Sequence, residues 1–235
     1  SVRHGTTTVV VANCSLGLAF GALRENNQDP IVDCFARVEN IPKPVLKRIA
    51  DQVSWNSSDQ YLAHLDTLNL GPNIVPMIPY SMLRIAVMGV TPSVTRAPTD
   101  AELERMESLL EKGMKEGYAG FSSDSLPFHY LSNDPNREYR IPSQYGSFAE
   151  IKRLTNVVRQ WGRIWQATPP IESPLTVFRT FLLTSGRLYG KALKITAVAA
   201  LDVHANRSLV RSAYVLSWLL NSWLFKGHFV LQSLA

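Results

Sequence analysis

Asn13-Cys14 closes a β-branched run, Thr8-Val9-Val10-Val11-Ala12. Polar residues at the carboxyl ends of parallel strands line the ligand crevice of α/β folds, so a thiol there could ligate a metal or act as a nucleophile. The competing reading is an ordinary buried cysteine, which packs as a small apolar residue. Ser122-Ser123-Asp124 ends another strand-like stretch and offers two hydroxyls and a carboxylate; a helix cap or an Asx turn would use the same residues structurally. Asp202-Val203-His204 alternates so that both polar side chains share one side of an extended segment, as a ligand pair would. Turn chemistry before a helix start at Asn206 or Ser208 is the alternative. His64, beside Asp66 in an amphipathic stretch, reads as a surface residue, and His129 sits among Pro127, Phe128 and Tyr130 in a loop that could cover a site. The sequence has no GxGxxG after a strand, no Walker loop, no GxSxG elbow, no CxxC and no HExxH. A local phosphate cradle, a nucleophile elbow and a zinc motif of neighbouring residues are therefore excluded.

Any site must be assembled by the elements between these residues. Strand-like runs recur at 8–12, 73–78, 118–121, 163–167, 193–198 and 228–232, with Pro76 a poor residue for a central strand. Between them lie helices with readable ends. Thr99-Asp100-Ala101-Glu102 is a capping box, followed by the apolar stripe Leu103, Met106, Leu110 and Met114 and a stop at Gly117. Phe148, Ile151, Leu154, Val158 and Trp161 repeat the stripe before Gly162, and Ser58 is placed to cap a shorter helix carrying Tyr61, Leu62 and Leu65. The stretch from Ser208 to Phe225 is apolar on most sides and needs cover. Repeated strand–helix alternation means a parallel sheet with right-handed crossovers, one α/β domain over residues 1–235. Spacing alone leaves a (β/α)8 barrel and an open doubly wound sheet as alternatives. A whole barrel takes about 250 residues, and only six strands are visible, so a barrel here would be incomplete.

Composition narrows the function classes. Of 235 residues, 46% are hydrophobic and 18% charged, a balance for a folded domain rather than long solvated tails. The run from Ala213 to Phe225 is interrupted by Ser217, Asn221 and Ser222, short of a bilayer span, and the opening residues do not resemble a signal peptide. Two cysteines make no disulfide framework and point to a reducing, cytoplasmic setting. The basic surplus sits in residues 161–235 without an aromatic-interleaved cluster, which argues against a nucleic-acid partner.

The opening Ser1-Val2-Arg3-His4-Gly5-Thr6-Thr7-Thr8-Val9-Val10-Val11-Ala12-Asn13-Cys14 resembles the HGVTTVVxGNC segment of N-acyl-D-amino-acid deacylases (the D-aminoacylase-like branch), which belong to the metal-dependent amidohydrolase superfamily. Further similar pieces follow in order. Val38-Glu39-Asn40-Ile41-Pro42 resembles V-E-[DN]-I-P, and Tyr80-Ser81-Met82-Leu83-Arg84 with Val87-Met88-Gly89 resembles H-S-x-L-R and V-M-G. Residues 101–114 with Gly117-Tyr118-Ala119-Gly120-Phe121-Ser122-Ser123 resemble the family's helix and its G-x-x-G-[FL]-S-[ST]. The likeness covers most of residues 1–165 and weakens afterwards.

The resemblance implies a TIM barrel, zinc as cofactor, and hydrolysis of the amide C–N bond of a small-molecule N-acyl amino acid or related amide. It implies Cys14 as a metal ligand, and Tyr80, Arg84, Ser122 and Ser123 as substrate-binding residues. Several positions depart from the family. Tyr80 stands where the family writes histidine, Thr168 ends the segment matching Q-T-H, and the next strand-end histidine falls at Ala197. The paired histidines of the family's first strand would precede residue 1, and its late aspartate would follow Ala235. One thiolate cannot hold a catalytic zinc, which takes three protein ligands. Two functions follow as expectations: an amidohydrolase-like protein with an incomplete metal site, or a non-catalytic α/β module for binding or subunit contacts. Unpaired strand edges near Val10 and Val230, and an apolar helix bearing Trp218 and Trp223, predict a homo-oligomer or covering sequence.

Overall fold

The computed structural model describes residues 2–21, 29–170, 173–200 and 208–233. The β-branched run forms β1 (Thr8–Val11), and helices α1 (Pro30–Val38), α2 (Lys43–Gln52) and α3 (Ser58–Asp66) lead to β2 (Asn73–Pro76) and β3 (Ile78–Pro79). Helices α4 (Tyr80–Met88), α5 (Val90–Thr95) and α6 (Asp100–Glu116) precede β4 (Gly120–Ser123). A long loop reaches α7 (Phe148–Gln160), then β5 (Ile164–Ala167), α8 (Pro174–Phe181), α9 (Gly186–Tyr189), β6 (Lys194–Ala200), α10 (Ser208–Asn221) and β7 (His228–Ser233).

The strands pair in parallel and in chain order, β1 with β2, then β3-β4-β5-β6-β7. The expected strand at 73–78 is divided where proline removes the N–H that a ladder needs. The two parts remain linked, because Met77 N–H donates to Val11 O (3.1 Å) and Ala119 N–H donates to Pro76 O (3.0 Å).

A constant direction of strand succession with right-handed crossovers puts the connecting helices on one face. The register aligns Phe121, Trp165, Ile195 and Phe229 in a row across β4 to β7, all buried. Phe121 meets the edge of Tyr80 from α4, while Trp165 and Phe229 lie against Phe181 of α8. Side chains alternate across a strand, so the next row, Ser122, Gln166, Thr196 and Val230, occupies the opposite face. Ser122 and Gln166 are buried there, whereas Val230 at the β7 end is 51% exposed.

Helix ends follow the local chemistry. Thr99 and Glu102 exchange both capping-box bonds, Thr99 N–H to Glu102 Oε2 (2.7 Å) and Glu102 N–H to Thr99 Oγ1 (3.2 Å). Gly117 takes the left-handed conformation that ends α6. At α3 the cap position is Ser57, not Ser58; Ser58 is the first helical residue and is buried. The apolar helix near the end stops at Asn221, whose Nδ2 donates to Phe229 O (2.8 Å) and whose Oδ1 accepts Phe229 N–H (2.7 Å). Among the described residues no helix is long and apolar enough to cross a membrane.

Candidate functional site at the strand ends

Asp124 directly follows β4, wholly buried, and gathers side chains from three segments. Its Oδ2 pairs with His129 Nδ1 at 2.8 Å and accepts from Leu126 N–H and Gln144 Nε2, both at 3.4 Å. Its Oδ1 accepts from Thr168 Oγ1 at 3.1 Å, and Thr168 Oγ1 in turn accepts Ser125 N–H at 2.6 Å. Ser143 Oγ closes the arrangement, accepting Asp124 N–H and donating to Asp124 O, both at 2.8 Å. The bond to Leu126 N–H is the Asx turn that the sequence suggested; the bonds to His129, Gln144 and Thr168 go beyond a turn. With Nδ1 facing the carboxylate, the His129 ring is oriented with Nε2 as its other nitrogen, an arrangement suited to moving a proton.

Cys14 lies just past β1 with φ +53°, partly buried, and its N–H donates to Gln166 Oε1 at 2.9 Å. Gln166 belongs to the row opposite the helix face, so that contact sets the Cys14 backbone over the polar side of the sheet. Burial pushes its thiol up to about 11, with the charges of Asp124 and Glu39 adding to the shift. Cys34 is buried in α1, and both cysteines are free. Because a backbone N–H fixes the Gln166 oxygen, the amide orientation is determined; its Nε2 is buried without a partner among the described residues. Ser122 Oγ donates to Ala12 O, drawing the end of β4 toward the same point.

The other residues implied by the resemblance are engaged in packing. Tyr80 and Arg84 are both fully buried in α4 and both donate to Glu150 Oε1 of α7. Arg84 also donates to Ser93 O at 3.0 Å. Burial, then the Glu150 charge, raises the Tyr80 phenol well above its usual range. Gly146 makes room for this phenol, since a Cβ there would stand 2.1 Å from its oxygen. Ser123 Oγ accepts the Trp165 indole N–H at 2.8 Å. His64 is half-buried and stacked on Trp55 at 4.4 Å, rather than a plain surface residue. Asp202, His204 and Asn206 lie outside the described residues.

The loop from 124 to 147 carries most of the polar groups, and α1 holds it. Asp33 Oδ1 accepts the N–H groups of Ser132 and Asn133 at 2.8 Å each, and Arg37 donates to Leu131 O and Arg137 O at 3.0 and 2.7 Å. Beneath this loop, bounded by the start of α7 and by α8, is a cavity of about 450 Å³. Ser123, Ser143, Gln144 and Thr168 line it, so it shares a wall with the Asp124 cluster. Residue types at strand ends pointed to Cys14, Ser122, Ser123 and Asp124; they did not single out Gln166, Gln144 or Arg140. The one signal for the latter two was the long Ser-, Asn- and Pro-bearing loop itself.

This is a parallel α/β fold with crossover helices, of the kind found in a deacylase. N-acyl-D-glutamate deacylase from Bordetella bronchiseptica, solved with zinc and a phosphonate that mimics the tetrahedral intermediate, matches with a TM-score of 0.63 over 98% of this chain and 42% of that one. The two are 20% identical, a likeness of fold. An uncharacterized protein of Mycobacterium tuberculosis is 33% identical over 207 residues, 86% of this chain and 33% of the relative. N-acyl-D-aspartate deacylase of Alcaligenes xylosoxydans xylosoxydans is 32% identical over 125 residues, 53% of this chain and 22% of the relative. The D-aminoacylase of that organism is 31% identical over 128 residues, with the same shares of each chain covered. The chain thus spans about a third or less of the length of these curated relatives. No family model matches the chain. The matches relate it to amidohydrolase-like deacylases without singling out one branch.

Proposed function

We propose that residues 1–235 form the larger part of an amidohydrolase-type (β/α)8 barrel that binds an N-acyl amino acid or a related amide at its strand ends, with a metal centre these residues do not complete. Six successive parallel strand positions in chain order, with helices packed on one face, support the barrel reading. The observation that carries the functional reading is the donor set at the strand ends. Cys14 offers one thiol, and the Thr168 hydroxyl already donates to Asp124. Register places Ala197 beside Ala167 and Leu231, on the same face as Trp165 and Phe229; the alternate positions on β6 are Thr196 and Val198, and none of these is an imidazole. Among the described residues no three His, Cys, Asp or Glu side chains stand close enough to share a metal ion. This set does not fit a catalytic zinc.

Bound at these ends, a ligand amide would meet the Gln166 Nε2 donor and the Asp124–His129 pair. Incubating the purified chain with N-acetyl-D-amino acids at neutral pH, with and without added zinc, tests the reading. Background hydrolysis, unchanged by Cys14→Ala, is the expected result. Turnover that a chelator abolishes overturns it in favour of a working zinc hydrolase of the amide C–N bond.

A further inference from the structure

The cavity between the 124–147 loop, α7 and α8 is bordered by two arginines, Arg140 and Arg179. Among the described residues neither guanidinium is ion-paired. Two carboxylates adjacent in sequence to lining residues are committed elsewhere, Glu150 to Arg84 and Tyr80, and Asp124 to His129 and Thr168. Arg179 lies over the Phe148 ring, 4.1 Å from its centroid, which holds its charge at the rim. The rest of the wall includes Phe148, Ile151, Trp165 and Leu175, an apolar surface beside the two cations. A volume of about 450 Å³ is in the range of small-molecule sites.

We propose that this cavity binds an amphipathic carboxylate, its carboxylate between Arg140 and Arg179 and a short apolar chain against Phe148, Ile151 and Leu175. Arginine matches a carboxylate through two parallel N–H donors, and the apolar wall supplies the area that makes a small anion bind selectively. The inference goes beyond the functional reading above, because it does not use the strand-end metal positions or require an amide.

Titration calorimetry on the full chain, with octanoate, octanamide, N-octanoylglycine and inorganic phosphate, tests it. Octanoate should bind saturably, and Arg140→Gln and Arg179→Gln should each weaken it roughly fivefold, on the order of twentyfold together. Octanamide should bind the native chain about as weakly as octanoate binds the double variant, and phosphate should bind at least roughly tenfold more weakly than octanoate. Arg140→Lys with Arg179→Lys should keep most of the affinity, and unchanged unfolding temperatures will show that the variants fold. Equal binding of octanoate and octanamide, an indifferent double variant, or no saturable binding overturns the proposal. Phosphate binding as tightly as octanoate also overturns it, leaving a site for any small anion. N-octanoylglycine separates the two readings: tighter arginine-dependent binding than octanoate supports both, while equal arginine-dependent binding keeps the carboxylate site and removes the amide preference.

Discussion

Cys14 and Cys34 sit in different surroundings although both are free thiols. The Cys14 thiol is partly buried and shifted up to about 11, so it stays protonated well beyond neutral pH. Thiolate is the reactive form, and at pH 8 alkylation of Cys14 should run roughly a hundredfold slower than that of an exposed thiol, rising as pH approaches 11. Cys34 should label only on unfolding. Mass spectrometry of peptides after timed iodoacetamide treatment reads both rates; equal, fast labelling contradicts the placement. Asp124 was visible in the sequence as a strand-end carboxylate or a turn residue but not as a hub, since nothing in Ser122-Ser123-Asp124 says that Thr168, 44 residues later, will donate to it. Replacing Asp124 with Ala strands the Thr168, Gln144 and Leu126 donors and should cost about 2–4 kcal/mol in urea unfolding. A change below about 0.5 kcal/mol contradicts the hub role.

At the level of elements, local signals served best where one segment decides its own geometry. The capping box at Thr99, the stripes of α6 and α7, and the β-branched first strand all rest on contacts within a few residues. Helix α4 was legible only as motif pieces, because it is buried over most of its surface and shows no polar face to set a period. Its Arg84 and Tyr80 looked like ligand-facing residues, but α4 is tied to α7 through Glu150. Removing one partner of a buried ion pair leaves the other charge uncompensated. Arg84→Met should therefore destabilise the fold by about 3–5 kcal/mol, and adding Glu150→Gln should recover part of the loss. Additive losses in denaturant titrations contradict a direct coupling.

Over the whole molecule, parallel strands, crossover helices and chain order were legible because repeated periodicity with short connections leaves few topologies. The convergence of Cys14, Gln166, Asp124 and His129 was not, since it depends on sheet register and on a loop anchored by α1. The apolar character of α10 was legible, and its consequence is exposed surface: Trp218 is 72% exposed, with Tyr214 and Val215 exposed on the same helix, and Trp223, just past its end, is 78% exposed. A surface of that kind favours association. Light scattering should show mass rising with concentration, an effect reduced by Trp218→Ser with Trp223→Ser. A monodisperse monomer over a wide range contradicts this.

The central proposal, a deacylase-like scaffold whose strand ends do not complete a zinc centre, turns on how much metal the chain holds. Equilibrium dialysis of the purified protein against micromolar zinc, followed by elemental analysis, measures this directly. The expected result is well below one zinc per chain and no change for Cys14→Ala. One tightly held zinc per chain, lost in Cys14→Ala, would contradict it.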